Sequence, residues 1–288
     1  MRFLFKVFPL FAVLILHAKC DTLQNATVTV ATLLESPYTM HAKLSEGEVL
    51  TGNARYEGYI IDLLDLLAKN LGFSYDVQIV EDHRYGAMHN GKWDGLIGEV
   101  RSGRAKIGAA AITITSLREA AVDFTIPFIN LGISILYKRS TDGKALPFTN
   151  VEELAAAETI KVGCVLGGAT YQFFKNSDIP AYKRIYERME SADPPTFTQT
   201  VAEGIERVQS GDYAFFMEST SLDYAVQHNC DLQQVGGLLD SKGFGLVVEQ
   251  GSPFRELLSQ AILLLQESGD LAKLHDKWWK MNAQKCDH

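Results

Sequence analysis

Short runs of β-branched and aromatic residues alternate with helical apolar faces from residue 27 almost to the end. That alternation confines the chain to an α/β architecture with mostly parallel sheets. Residues 27–31 read as a first strand. Ile60, Leu63, Leu64, Leu67 and Leu71 share one face of a helix that Gly72 stops in the way C-terminal glycines do. Residues 75–80 form the next strand, Asp94 is placed to cap a helix carrying Leu96, Ile97 and Val100, and 106–111 return as strand. After Pro127 the alternation restarts with a strand over 132–137, and the polar stretch 138–149 reads as a surface linker. Helices over 151–157, from Thr170 and from Ala202 then alternate with strands over 160–166 and 213–217. A strand over 244–248 leads into a long helix with Phe254, Leu257, Leu258, Ala261, Leu264 and Leu265 on one face. With 288 residues there is length for two modest cores, hence two domains.

The formal net charge is −8 and no run of Lys and Arg forms a basic face, which argues against a nucleic-acid partner. Arg2 and Lys6 precede the apolar run 7–16, and small residues follow at Ala18 and Cys20. This reads as a secretory signal over 1–20, since the run is about half the length of a membrane helix and Pro9 interrupts it. An uncleaved anchor is the alternative. No later apolar stretch is long enough for a membrane span, so the mature chain is expected to be secreted, extracellular and soluble. Loss of Cys20 leaves Cys164, Cys230 and Cys286. Cys230 and Cys286 lie in polar surroundings near turns and are expected to pair, with Cys164 a buried thiol in an apolar strand. Asn25-Ala26-Thr27 is a glycosylation sequon at Asn25. The seven histidines show no metal-ligand spacing, and neither a metal site nor a cofactor is expected.

Three local patterns carry chemistry. In Thr113-Ile114-Thr115-Ser116-Leu117-Arg118-Glu119 a strand ends in hydroxyls, and Ser116 with Glu119 has capping-box spacing. Arg118 would lie in the first helical turn, where a cation is unfavourable unless an anion meets it, and a guanidinium grips a carboxylate bidentately. A surface arginine paired with Glu119 is the competing reading. Gly167-Gly168-Ala169-Thr170 joins a strand to a helix, a place where free N–H groups attract anions. Glu218 ends the apolar run 213–217, at the sheet edge where open α/β folds bind ligands; it could equally be an ordinary first-turn acid of the next helix.

Several segments in order resemble the ligand-binding domain of ionotropic glutamate receptors. They are Tyr56-Glu57-Gly58-Tyr59, the run from Gly95 through Gly108 to Arg118-Glu119, Asp123-Phe124-Thr125-Ile126-Pro127-Phe128, and Leu131-Gly132-Ile133-Ser134-Ile135-Leu136-Tyr137-Lys138. Met217-Glu218-Ser219-Thr220, Asp240-Ser241-Lys242-Gly243-Phe244-Gly245 and Lys277-Trp278-Trp279 continue the likeness. Gly168-Ala169-Thr170 and Asn229-Cys230-Asp231-Leu232 look most like the kainate type.

The resemblance implies a type II periplasmic-binding-protein-like clamshell of two lobes, 22–124 with 243–288 and 125–242, each a mostly parallel sheet flanked by helices. Arg118 would hold the α-carboxylate of an amino acid, L-glutamate first, with Thr113. Glu218 and the Ala111 carbonyl would take the ammonium, Ala169 and Thr170 the distal carboxylate, and the Tyr56 ring would cover the ligand. Cys230 and Cys286 match the family's disulfide. Glu35 resembles an acid that latches across the cleft, but its expected polar partner position is Val201, so a weaker latch is expected. Ala111 stands in place of a usual proline and Phe244 in place of a common tyrosine.

The family's membrane segments are missing, the halves being joined through residues 139–149, so no pore is expected in this chain. The resemblance allows a homodimer through lobe 1 or association with receptor subunits. Rival readings are a fragment or splice form of a channel subunit, a periplasmic amino-acid-binding protein of a transporter, and a dehydratase-type enzyme on the same fold, which would need a free acid in the cleft.

Overall fold

The computed structural model describes residues 24–45, 47–140, 145–280 and 283. The proposed signal segment, Cys286 and residues 141–144 of the linker lie outside them. In chain order the strands are β1 (Thr27–Thr32), β2 (Met40–His41), β3 (Tyr56–Glu57), β4 (Ser74–Ile79), β5 (Met88–His89), β6 (Lys92–Trp93), β7 (Ile107–Gly108) and β8 (Asp123–Phe124). They continue as β9 (Ile129–Leu131), β10 (Ile133–Lys138), β11 (Lys161–Gly163), β12 (Tyr213–Glu218), β13 (Leu232–Val235), β14 (Lys242–Phe244) and β15 (Val247–Val248).

Two sheets organise two bodies, in the clamshell arrangement the sequence implied. The first has the order β4-β1-β7-β15-β8, with β1 parallel to both neighbours and only β15 reversed. The second has the order β11-β12-β10-β13, with only β10 reversed. Alternating residues bury opposite faces, as a two-residue period requires. Val28 and Val30 meet the helix Tyr59–Leu71, the helix Phe254–Glu267 and Trp278 and Trp279, whereas Ala31 meets Leu96, Ile97 and Val100 of the helix Gly95–Arg101. In the second sheet Ile133, Ile135 and Phe216 face one core, and Leu136, Phe215 and Met217 face another.

The chain passes between the bodies twice, along β9 and β14, which pair antiparallel with Gly243 opposite Asn130. A further seam contact is made by the helix Ser219–His228. The Thr220 hydroxyl accepts from Tyr38 Oη at 2.8 Å and the Thr220 carbonyl from Trp279 Nε1 at 2.8 Å. Tyr38 is held in turn because Gly58 lets two chains meet: a Cβ there would lie 2.2 Å from the Tyr38 carbonyl oxygen, and φ is +137°. Only glycine fits that contact.

Several boundaries differ from expectation. The ladder over 106–111 shrinks to β7, that over 160–166 to β11, and 244–248 divides into β14 and β15 around Gly245 and Leu246. Asp94 precedes its helix without capping it; its carboxylate accepts from Ala87 N and Arg84 instead. Thr115, not Ser116, caps the helix Ser116–Glu119, its hydroxyl accepting from the Arg118 N–H at 3.3 Å. The helices Pro180–Ser191 and Asp270–Lys280 were not anticipated. Cys164 is a buried free thiol 3.8 Å from Met189 Sδ, and burial pushes its pKa up. Cys230 is disulfide-bonded.

Candidate functional site

Arg118 is only 6% exposed, and its Nη1 donates to the Thr113 carbonyl at 2.8 Å. This uses one of the five N–H donors a guanidinium carries. Among the described residues it forms no ion pair, and Glu218 acts on it only through space. Burial lowers its pKa to about 10, with Glu218 opposing the shift, so it remains a cation at neutral pH. A buried cation without a contacting anion is unfavourable in isolation. The competing reading, a surface arginine paired with Glu119, does not describe this geometry.

The second body brings up Thr170 and Glu218. Thr170 is buried, in the first turn of the helix Ala169–Lys175, and donates to Glu218 Oε1 at 3.3 Å. Gly167 makes the preceding turn at φ +75°, and Gly168, in the N-cap position, has no side chain to cap with. The Ala169 and Thr170 N–H groups accordingly have no acceptor among the described residues, as expected at a helix start. The Ala111 carbonyl and the Thr113 hydroxyl likewise lack a protein partner among the described residues, although both residues are buried. These groups are thus available to a charged, multiply hydrogen-bonding occupant.

Tyr56 does not join these residues. It lies on β3 beside β2, its ring 5.7 Å from His41 and 5.1 Å from the Arg55 guanidinium carbon. Tyr85, which the sequence reading did not single out, donates its hydroxyl to Glu35 Oε2. It follows β4, at the sheet edge where α/β folds place ligands, and that position was its one signal. Glu35 keeps some exposed surface, yet its carboxyl is enclosed between Tyr85, Ser221 and Glu218. Burial, and then Glu218, raise its pKa to about 8, with Ser221 opposing the shift. Phe244 is buried between Tyr38 and Phe128. Asn25 is exposed at φ +64°. Two hollows lie elsewhere, one beside Asn150 and Tyr182 and one beside Lys106 and Phe254.

The described residues contain no cluster of metal-ligating side chains, and no helix among them is long and apolar enough to cross a membrane. Residues 26–141 match the family described as the ligated ion channel L-glutamate- and glycine-binding site. The chain belongs to the ionotropic glutamate receptor ligand-binding domain family. Its similar solved structures include that of Drosophila muscle GluRIIB in complex with glutamate, at TM-score 0.83 and 37% identity, covering 90% of this chain and 100% of that one.

Among curated relatives, the Caenorhabditis elegans kainate receptor glr-3 is 31% identical over 92% of this chain and 44% of its own length. Human kainate receptor 1 is 32% identical over 91% of this chain and 41% of its own. The chain thus spans less than half the length of these relatives. The alignment to glr-3 runs over 382 residues, more than the 288 of this chain, so glr-3 carries residues between matched parts that this chain lacks. The relatives named here are receptors.

Proposed function

We propose that this chain binds an α-amino acid, L-glutamate first, outside the cell, by closing 125–242 against 22–124 and 243–288. The observation that supports it most is the buried Arg118 guanidinium, which has no ion-pair partner among the described residues and feels the charge of Glu218 from the second body. In this reading Arg118 and the Thr113 hydroxyl take the α-carboxylate. Glu218 and the Ala111 carbonyl take the ammonium, which also relieves the proximity of Glu218 to Glu35. The N–H groups of Ala169 and Thr170, with the Thr170 hydroxyl turned from Glu218, take the distal carboxylate. Tyr85 rather than Tyr56 borders the ligand. A zwitterion then pairs both fixed charges, whereas a ligand lacking either group leaves one buried and unpaired.

No step of catalysis is part of this reading, because an acid that neutralises a ligand ammonium is not free to move a proton. Calorimetric titration with glutamate, aspartate, glycine, serine and alanine tests it. Glutamate is expected to bind most tightly and to be recovered unchanged. Equal affinity for alanine, or no binding by any of the five, refutes it.

A further inference from the structure

Two hydrogen bonds from the first body converge on one residue of the second. The Tyr38 hydroxyl donates to the Thr220 hydroxyl and the Trp279 indole N–H to the Thr220 carbonyl, each at 2.8 Å. Both donors are rigid. The buried Tyr38 ring stands edge-on to Phe244 at 5.8 Å and to Trp279 at 5.5 Å. Its backbone is fixed too, since Tyr38 N donates to the Glu35 carbonyl at 2.8 Å and Ile60 N to the Tyr38 carbonyl at 2.9 Å. Trp279 is buried and stacked on His275 at 4.1 Å. Donors held in this way lose little freedom when they bond.

Thr220 lies two residues beyond Glu218. The residue between is tied as well, Ser219 N donating at 2.8 Å to the carbonyl of Gly132, which follows β9 directly. Glu218 itself pairs with Ile133 of β10. It is thus held between the root of a crossing strand and two donors of the first body. The helix Ala169–Lys175 is placed otherwise. Its Thr170 bonds Glu218 and its Tyr171 bonds Tyr186, and among the described residues it makes no hydrogen bond to the first body. It meets the crossing strands where Lys242 of β14 lies over the Phe173 ring at 5.0 Å. Glu35, the residue expected to latch the cleft, takes the Tyr85 hydroxyl of its own body, and Val201 packs against the core of Phe215 and Leu222.

We propose that Tyr38 is a positioning residue for Glu218: with Trp279 it pins the end of β12 to the first body, so that Glu218 keeps its place relative to Arg118 whether the seam is open or shut. A rotation that spares both the β9–β14 pair and the Thr220 bonds must have its axis close to the two of them, and the start of the helix Ala169–Lys175 is then the part that swings. On the amino-acid-binding reading, the two α-groups of the ligand are met before closure and the distal group during it.

The proposal rests on that reading for one of its two tests. The first is calorimetry with glutamate. Tyr38→Phe keeps the ring and removes the hydroxyl, and is expected to weaken binding about fivefold in the wild-type background. In the Glu218→Gln background, where there is no acid to position, the same change is expected to cost less than about twofold. Thr220→Ser retains the hydroxyl and should bind like the wild type. Equal losses from Tyr38→Phe in both backgrounds, no loss in the wild type, or a Thr220→Ser variant as weak as Tyr38→Phe overturns the proposal. The second test needs no ligand: hydrogen exchange of the Trp279 indole N–H in the unliganded chain, followed by NMR, with Trp93→Phe and Trp278→Phe identifying the other two indoles. Exchange is expected to be slow in the wild type and about tenfold faster in Tyr38→Phe, as opening of the pinned segment becomes easier. A wild-type indole that exchanges as freely as an exposed one, or a rate that Tyr38→Phe leaves unchanged, overturns it. Failure of the wild type to bind glutamate would sink the functional reading alone, because exchange still decides whether the pin exists.

Discussion

The two walls of the seam are built differently. On the first, Arg118 is braced at both ends: its N–H meets the Thr115 hydroxyl and its guanidinium meets the Thr113 carbonyl. The segment between is tied to the hinge through Ile114 N to Gly243 O at 2.9 Å. On the second, Thr170 stands at the start of a seven-residue helix after Gly167 and Gly168, and Glu218 sits half-buried where β12 becomes helix. A braced, desolvated cation needs no reorganisation to receive an anion, so on the proposed reading the first wall would supply affinity common to all amino acids. On the second wall Glu218 would add the ammonium contact common to all amino acids, while the neutral donors of Ala169 and Thr170 are suited to telling one side chain from another.

The sharpest way to break this comparison is Arg118→Ala, which leaves Glu218 without its counter-charge and removes the only cation of the set. Calorimetry is expected to show glutamate affinity falling by about 3–5 kcal/mol. Glu218→Gln keeps the shape and removes the acid from the opposite wall, and should weaken every amino acid by roughly 2 kcal/mol. Retained alanine binding in that variant would put the ammonium elsewhere. Thr170→Val is expected to weaken glutamate by about 1 kcal/mol while leaving alanine nearly unchanged; an equal loss for both would assign Thr170 to the shared part of the site. The smallest effect belongs to Thr115→Ala, which removes a cap and should lower stability by about 1 kcal/mol in denaturant melts.

Much of this was legible because it rests on short-range spacing. The face of Ile60, Leu63, Leu64 and Leu67 and the alternation of Phe215 and Phe216 on β12 follow directly from the helical and strand periods. Arg118 stood out because a cation in a first helical turn calls for an explanation. The helix Pro180–Ser191 escaped notice because only Ile185 and Met189 are buried among many charges. Thr115 and Ser116 are adjacent hydroxyls, and spacing does not choose the cap between them. Tyr56 and Tyr85 differ only in tertiary placement, which local pattern does not carry.

The paired strands β9 and β14 are stitched to the very loop that carries the guanidinium, since Thr113 bridges Phe244 and Ile114 bonds Gly243. Material close to a rotation axis travels least. An amino acid seated on Arg118 would therefore be gripped near the still point of the swing while Ala169 and Thr170 cover most of the arc, so ligand length, more than ligand charge, would set how far the molecule turns.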